Sequence, residues 1–374
     1  MAEGGAHVEH VLVVPDDVEV DEVLALATCS FAGARAYDGD TVARDRSARE
    51  ARNAQDGGAP ATIRLSRYSS VVGPWEPEEA PESVRAALRA VGADTTYTAV
   101  YSVASLRERT TPVPFLTGDR DGLRRTFFQG APEREEGRVV AWLVAAARRL
   151  TGSLVLDVAR RGEPTAFARL APDPAVDTDL TLVSDVWLTP EAAQALALGV
   201  DPAAEIGPTG FAWDGPPQTW RGSARGLVDD DALDDADLAA LAAPPPLEGY
   251  SVLLPTAPAM ADSAGRAGEE RAVSRPPSGL ATTGGTVAIE VTGIAAPPLA
   301  LRSLGWLAAG GVQYALRWYP SDDEAAHRER PSAAVRAERR RAAATITALA
   351  RTLHRAAGGE LLDQSGFPLA PEDL

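Results

Sequence analysis

The chain of 374 residues contains no lysine; every one of its 36 basic residues is arginine. A Walker phosphate loop needs its Lys, a pyridoxal enzyme a Schiff-base Lys, and a protein kinase the strand Lys that meets the nucleotide phosphates. None of these chemistries is present in standard form. Histidine is confined to His7, His10, His327 and His354. His7 and His10 are separated by two residues at what reads as a frayed N-terminus. No Cys or acidic pair at zinc spacing accompanies them, so no metal and no cofactor is expected. The single cysteine, Cys29, excludes an internal disulfide and reads as a small buried residue on an early helix. There is no G-x-S-x-G turn, no H-E-x-x-H and no G-x-G-x-x-G after a strand, and Gly284-Gly285 and Gly310-Gly311 precede strands instead of helices. No run approaches the roughly 20 apolar residues of a membrane span. Met1 to His10 lacks the basic start and apolar stretch of a signal peptide, so the expectation is a cytoplasmic protein without a membrane partner.

Against 36 basic residues stand 53 acidic ones, a formal net charge of -17. Such a surface repels phosphate backbones, and nucleic acid is not expected as a partner. The exception is the last helix, where Arg336, Arg339, Arg340, Arg341, Arg351 and Arg355 make one face basic. This reads first as a solvated face, and second as a patch for an anion or a partner. Arg340 and Arg351 are its candidate binding residues. Docking on an acidic patch of a second copy would give a homodimer. The richness in Arg, Ala, Gly and Pro is what the genome of a GC-rich bacterium favours.

What the sequence does contain is a duplication. Arg138 to Asp157 recurs at Ala344 to Asp363, with Val140, Leu143, Ala147, Leu150, Gly152 and Asp157 matching Ile346, Leu349, Leu353, Ala356, Gly358 and Asp363. Apolar residues at i, i+3, i+7 and i+10 line one face of a helix. The glycine ends it, and the short apolar run that follows reads as a strand. Upstream, Val11 to Pro15 resembles Ser251 to Pro255, Thr62 to Leu65 resembles Thr286 to Ile289, and Thr96 to Tyr101 parallels Val312 to Trp318. The expected fold class is α+β: two α/β sandwich-like domains, each a mixed or antiparallel sheet with helices on one face, and a small insert between them. The expected boundaries are 1–162, 163–247 and 248–374. Within the insert, Leu180 to Val183 reads as a strand, Thr189-Pro190-Glu191 as a capped helix start, 231–242 as a second short helix, and Pro244-Pro245-Pro246 as a stiff connector. Two low-complexity stretches, 44–60 and 257–285, read as loops.

Two features remain as site candidates. Asp157 and Asp363 each end a strand; as a pair facing an inter-repeat cleft they would serve as acid and base on an anionic small molecule, and otherwise each simply opens a turn. Phe211, Trp213 and Trp220 sit in a Gly/Pro segment, either tucked against the domain or exposed as partner anchors. The acidic run 229–237 lacks the central Gly and terminal Glu of a calcium loop and suits a helix start instead. The reading is an uncharacterised, lysine-free protein whose acidic surface would suit a basic protein partner, bound without catalysis, of the inhibitor, immunity or adaptor kind, with the enzyme as the alternative.

Overall fold

The computed structural model describes residues 7–37, 60–96, 98–111, 119–159, 165–215, 248–256 and 285–374. The chain divides into two compact units. Unit 1 comprises Met1–Asp177 with Asp322–Arg336 and Ser365–Phe367; unit 2 comprises Thr178–Ser321, Ala337–Gln364 and Pro368–Leu374.

In chain order the first half carries β1 (His7–Pro15), α1 (Val20–Ser30), β2 (Arg35–Tyr37), β3 (Ala61–Arg64), β4 (Ser70–Trp75), α2 (Glu82–Val91), β5 (Thr98–Leu106), α3 (Leu123–Thr126), α4 (Arg134–Arg149), β6 (Ser153–Asp157) and β7 (Phe167–Leu170). The second half carries β8 (Leu180–Ser184), α5 (Pro190–Leu198), β9 (Glu205–Phe211), β10 (Gly249–Pro255), β11 (Thr286–Ile294), β12 (Gly311–Tyr319), α6 (Asp323–Ala326), α7 (Ala333–Ala357), β13 (Glu360–Asp363) and β14 (Pro368–Leu369). The protein is α+β with two seven-stranded sheets, antiparallel at every pairing.

The first sheet runs β2-β3-β4-β5-β1-β6-β7 and the second β9-β10-β11-β12-β8-β13-β14. These are the same order, strand for strand, and the helices fall at the same points, with the short 3-10 turns Leu299–Leu301 and Gly305–Leu307 where the first half has α2. The two halves therefore share one topology, as a duplication would give, but the register between them differs from the one expected. The first strand of the second copy is β8, not β10; β3 corresponds to β10 and β4 to β11. The expected insert 163–247 is not an insert, because β8 lies between β12 and β13 in the middle of the second sheet. The boundary moves from 162 and 247 to Asp177/Thr178. The insert reading failed because β1 and β10 are both apolar runs ending in Pro, and a fully buried strand has no periodicity by which to tell its place in a sheet.

Val11, Leu12, Val13 and Val14 are all at most 3% exposed, as a central strand covered on both faces requires. Leu12, Val14, Tyr101, Leu154 and Leu156 pack under α1 and α4 in the main core of unit 1. Val11, Val13, Val100 and Val155 alternate with them and meet Val84, Ala87 and Leu88 of α2 on the opposite face. In unit 2, Leu182, Tyr314, Val252, Ile289 and Leu361 form the main core with Ile346, Leu349 and Leu353 of α7. Thr189 caps α5 by accepting from the Ala192 N–H at 3.3 Å, with Pro190 at the first helical position, as its sequence indicated. The 231–242 helix, the Pro244 to Pro246 connector, the acidic run 229–237 and nearly all of the two low-complexity stretches lie outside the described residues.

Candidate functional site

A cluster of buried polar side chains in unit 1 lies where β1 begins and β5 and β6 end, beneath the N-terminus of α4. His7 and His10 do not sit on a frayed terminus: both belong to β1, which is paired on each side, and His10 is fully buried. The pattern was present in the sequence, since His10, Leu12 and Val14 alternate along one strand face. The Asp157 N–H donates to His10 Nδ1 at 3.2 Å, so the neutral ring carries its proton on Nε2, which stands 3.7 Å from Glu136 Oε1. Glu136, also fully buried, accepts the Glu108 N–H at 2.7 Å and Arg109 Nε at 2.7 Å, with Arg109 Nη2 also donating to it. It lies in the first turn of α4, where the free N–H groups favour an anion. Burial pushes its carboxyl up, but the donors of His10 and Arg109 beside it and the charge of Arg109 outweigh that and hold it below the usual carboxylate range.

Arg107 and Arg109 leave the end of β5 two residues apart and therefore on one side. Arg107 donates to Asp157 Oδ2 at 2.6 Å and to the Ala159 carbonyl. Arg109 donates to the Asp157 carbonyl at 2.8 Å and lies over the Phe127 ring at 4.4 Å. Two guanidinium groups thus face two carboxylates, and the cluster is neutral in sum. The strand that carries them is pinned by Thr110 and Glu133, whose N–H groups donate to the Ala131 and Glu108 carbonyls at 2.9 Å. Gly130 (φ +144) closes this turn against the Thr110 carbonyl, where a Cβ would collide. Above the arginines opens a cleft of about 460 Å³, whose lining includes Thr111, Phe127, Phe128 and Gln129. Phe128 is 70% exposed.

Each candidate residue now has a place. Asp157 is 5% exposed, and its Oδ1 accepts the Ala159 N–H at 2.9 Å, the two-residue turn expected of Asp at a strand end. It is not the counterpart of Asp363. Leu12 pairs with Tyr101 and Leu154, and Leu182 pairs with Tyr314 and Leu361, so Leu154 corresponds to Leu361. The left-handed residues Thr151 and Gly358 agree. So do Gly152 and Gly359, where a Cβ would strike the Val13 and Val183 carbonyls. Asp157 therefore matches Gln364, and Asp363 matches Leu156. The aspartate alignment slips by one residue, which in a strand exchanges the two faces. His10 matches Leu180, so the second copy lacks the polar cluster.

Trp213 is half-buried, edge-on to Trp187 at 5.0 Å, with Trp187 edge-on to Tyr250 at 5.2 Å, and it packs on the main core of unit 2. That is the tucked arrangement. Trp220 lies outside the described residues. On α7, Arg340 and Arg351 are exposed, but Arg339 is turned inward, 5% exposed and 5.8 Å from the Trp318 ring centre, so the basic face is narrower than the sequence indicated. Among the described residues no group of three or more His, Cys, Asp or Glu could hold a metal ion, and no helix is long and apolar enough to cross a membrane. No known protein family, characterised protein or solved structure matches the chain, so its function is argued from its own residues.

Proposed function

We propose that this is a non-catalytic binding protein of the inhibitor, immunity or adaptor kind, and that it holds an acidic protein partner against the arginine face of α7. The observation that carries this is the exposure of Arg340 and Arg351, neither of which forms an ion pair with a described residue. Arg340, Arg351 and Arg355 are exposed, the one carboxylate of the helix, Glu338, is 4% exposed and bonded to Ser321, and the whole chain carries a net charge of -17. Arg351 lies eleven positions beyond Arg340, about 16 Å along the axis and about 20° round it, so the two stand in one line. Ala344, Thr347 and Ala348 between them are small and leave room for a partner's surface to approach. Exposed arginines such as Arg340 and Arg351 direct encounter with an acidic surface and can pair with its carboxylates on docking.

The alternative, an enzyme using Asp157 and Asp363 on an anionic small molecule, has less support. Both oxygens of Asp157 are already engaged, by Arg107 and by the Ala159 N–H, so it is poorly prepared to move a proton. The test is capture from native cell extract at low salt with the intact protein and with Arg340→Glu, Arg351→Glu. A specific acidic protein retained by the first and lost by the second supports the reading. Nothing specific with the intact protein, or equal retention by both, rejects it. Sedimentation of the pure protein tells whether that partner is a second copy.

A further inference from the structure

We infer that the cleft above Arg109 binds a carboxylic acid that carries an apolar or aromatic group beside its carboxylate. Its lining includes Arg107, Arg109, Thr111, Phe127 and Phe128, and among the described residues that line it none is acidic. Arg109 spends Nε and Nη2 on Glu136 and the Asp157 carbonyl, whereas its Nη1 donates to no described residue. The guanidinium lies over the Phe127 ring and is anchored by Glu136 and the Asp157 carbonyl, so its remaining donor has a set orientation before any ligand arrives. A guanidinium donor oriented in advance suits a carboxylate oxygen, because the ordering cost is already met and the hydrogen bond is charge-assisted.

The charges behind the wall select the ligand further. Glu136 and Asp157 compensate the two arginines, so the site gains from one directed, charge-assisted hydrogen bond and little from a second negative charge. A monoanionic carboxylate fits this better than a phosphate dianion. Phe128, at 70% exposure, is the most exposed of the large apolar side chains among the described residues and borders the same cleft. A ring standing in water next to an oriented guanidinium gains by covering an apolar ligand group. A cleft of about 460 Å³ suits a single amino-acid derivative or the last residue of a chain. The ligand is therefore a free aromatic acid or the C-terminal residue of a peptide, which share this chemistry.

Calorimetric titration of the full chain distinguishes these. The probes are N-acetylphenylalanine, its amide, a hexapeptide ending in Phe, and inorganic phosphate. The acid is expected to bind about ten- to a hundredfold more tightly than the amide, through the charged hydrogen bond, and phosphate is expected not to compete. Phe128→Ser, at an exposed position that leaves the fold and its melting temperature unchanged, is expected to weaken the acid about ten- to a hundredfold. A hexapeptide that binds more tightly than the acid identifies a chain terminus as the ligand; equal or weaker binding identifies a free acid. The proposal is overturned if neither acid nor hexapeptide binds, if the amide binds as well as the acid, if phosphate competes, or if Phe128→Ser leaves the affinity unchanged.

Discussion

Replacing Glu136 by Gln removes one charge from the most buried ion cluster of unit 1, and the outcome is calculable from its surroundings. Glu136 is 0% exposed and Arg109 12% exposed at the side chain, so the guanidinium left behind has little water to replace its partner. The Gln keeps one oxygen but turns an NH2 group toward the Arg109 or Glu108 donors, which need an acceptor. Breaking a buried pair on one side costs about 3–5 kcal/mol, a large share of the roughly 5–15 kcal/mol that holds a domain together. For a unit of this size the melting temperature should fall by roughly 6–20 °C. The pH dependence supplies an independent check. Because the folded pKa of Glu136 lies below the ordinary value, its ionised form stabilises the fold at neutral pH. That contribution is lost as the pH falls through the folded pKa, so the gap between the two proteins should close below about pH 4. Replacing Glu136 and Arg109 together by Leu should cost less than the sum of the two single changes. Differential scanning calorimetry across pH reads all three. A shift under about 2 °C at neutral pH, or a gap unchanged in acid, would refute the assignment of Glu136 as the ionised centre of the cluster.

Other perturbations test separate parts of the argument. The Tyr314 hydroxyl donates to the Val186 carbonyl at 2.7 Å and accepts the Leu188 N–H at 2.9 Å, so Tyr314→Phe should destabilise by about 1–3 kcal/mol in urea unfolding. Burial pushes the Tyr101 phenol up to about 12 and those of Tyr250 and Tyr314 higher still. The stability they confer is whole below about pH 10 and is lost as the pH rises through the folded values, and ultraviolet titration should show these phenols ionising only as the fold opens. Gly152→Ala brings a Cβ to 2.5 Å from the Val13 carbonyl and should cost on the order of 1–3 kcal/mol. Gly359→Ala should cost more, since it adds a φ of +100 to the same clash; a neutral effect at both would break the equivalence drawn between them. Arg340→Glu with Arg351→Glu should leave chemical stability within about 0.5 kcal/mol, because both side chains are exposed.

Much of the fold was legible because it rests on local chemistry. The apolar stripe of α4 and α7, the glycines behind them and the Thr189-Pro190 helix start are each written within a dozen residues. The repeat register was not legible. Assigning β8 rather than β10 as the counterpart of β1 depends on which strands lie side by side, and Val11 to Pro15 resembles Ser251 to Pro255 as closely as chance apolar runs do. The candidate site was hidden for a related reason. His10, Arg107, Arg109, Glu136 and Asp157 are spread over 148 residues and form no motif; only the pairing of β1 with β5 and β6 brings them together. One signal was available, the period-two placement of His10 ahead of Leu12 and Val14.

By itself the amino-acid sequence determined what chemistry is excluded, that its two ends carry related helix-then-strand units, and that the fold is of sheets carrying amphipathic helices. Residue types and short periodicities suffice for those conclusions. Tertiary structure alone decided where one copy ends, which aspartates correspond, and which charged groups are buried together. Each depends on strand neighbours far apart in sequence, and a one-residue change of register there reverses every side chain without altering the composition.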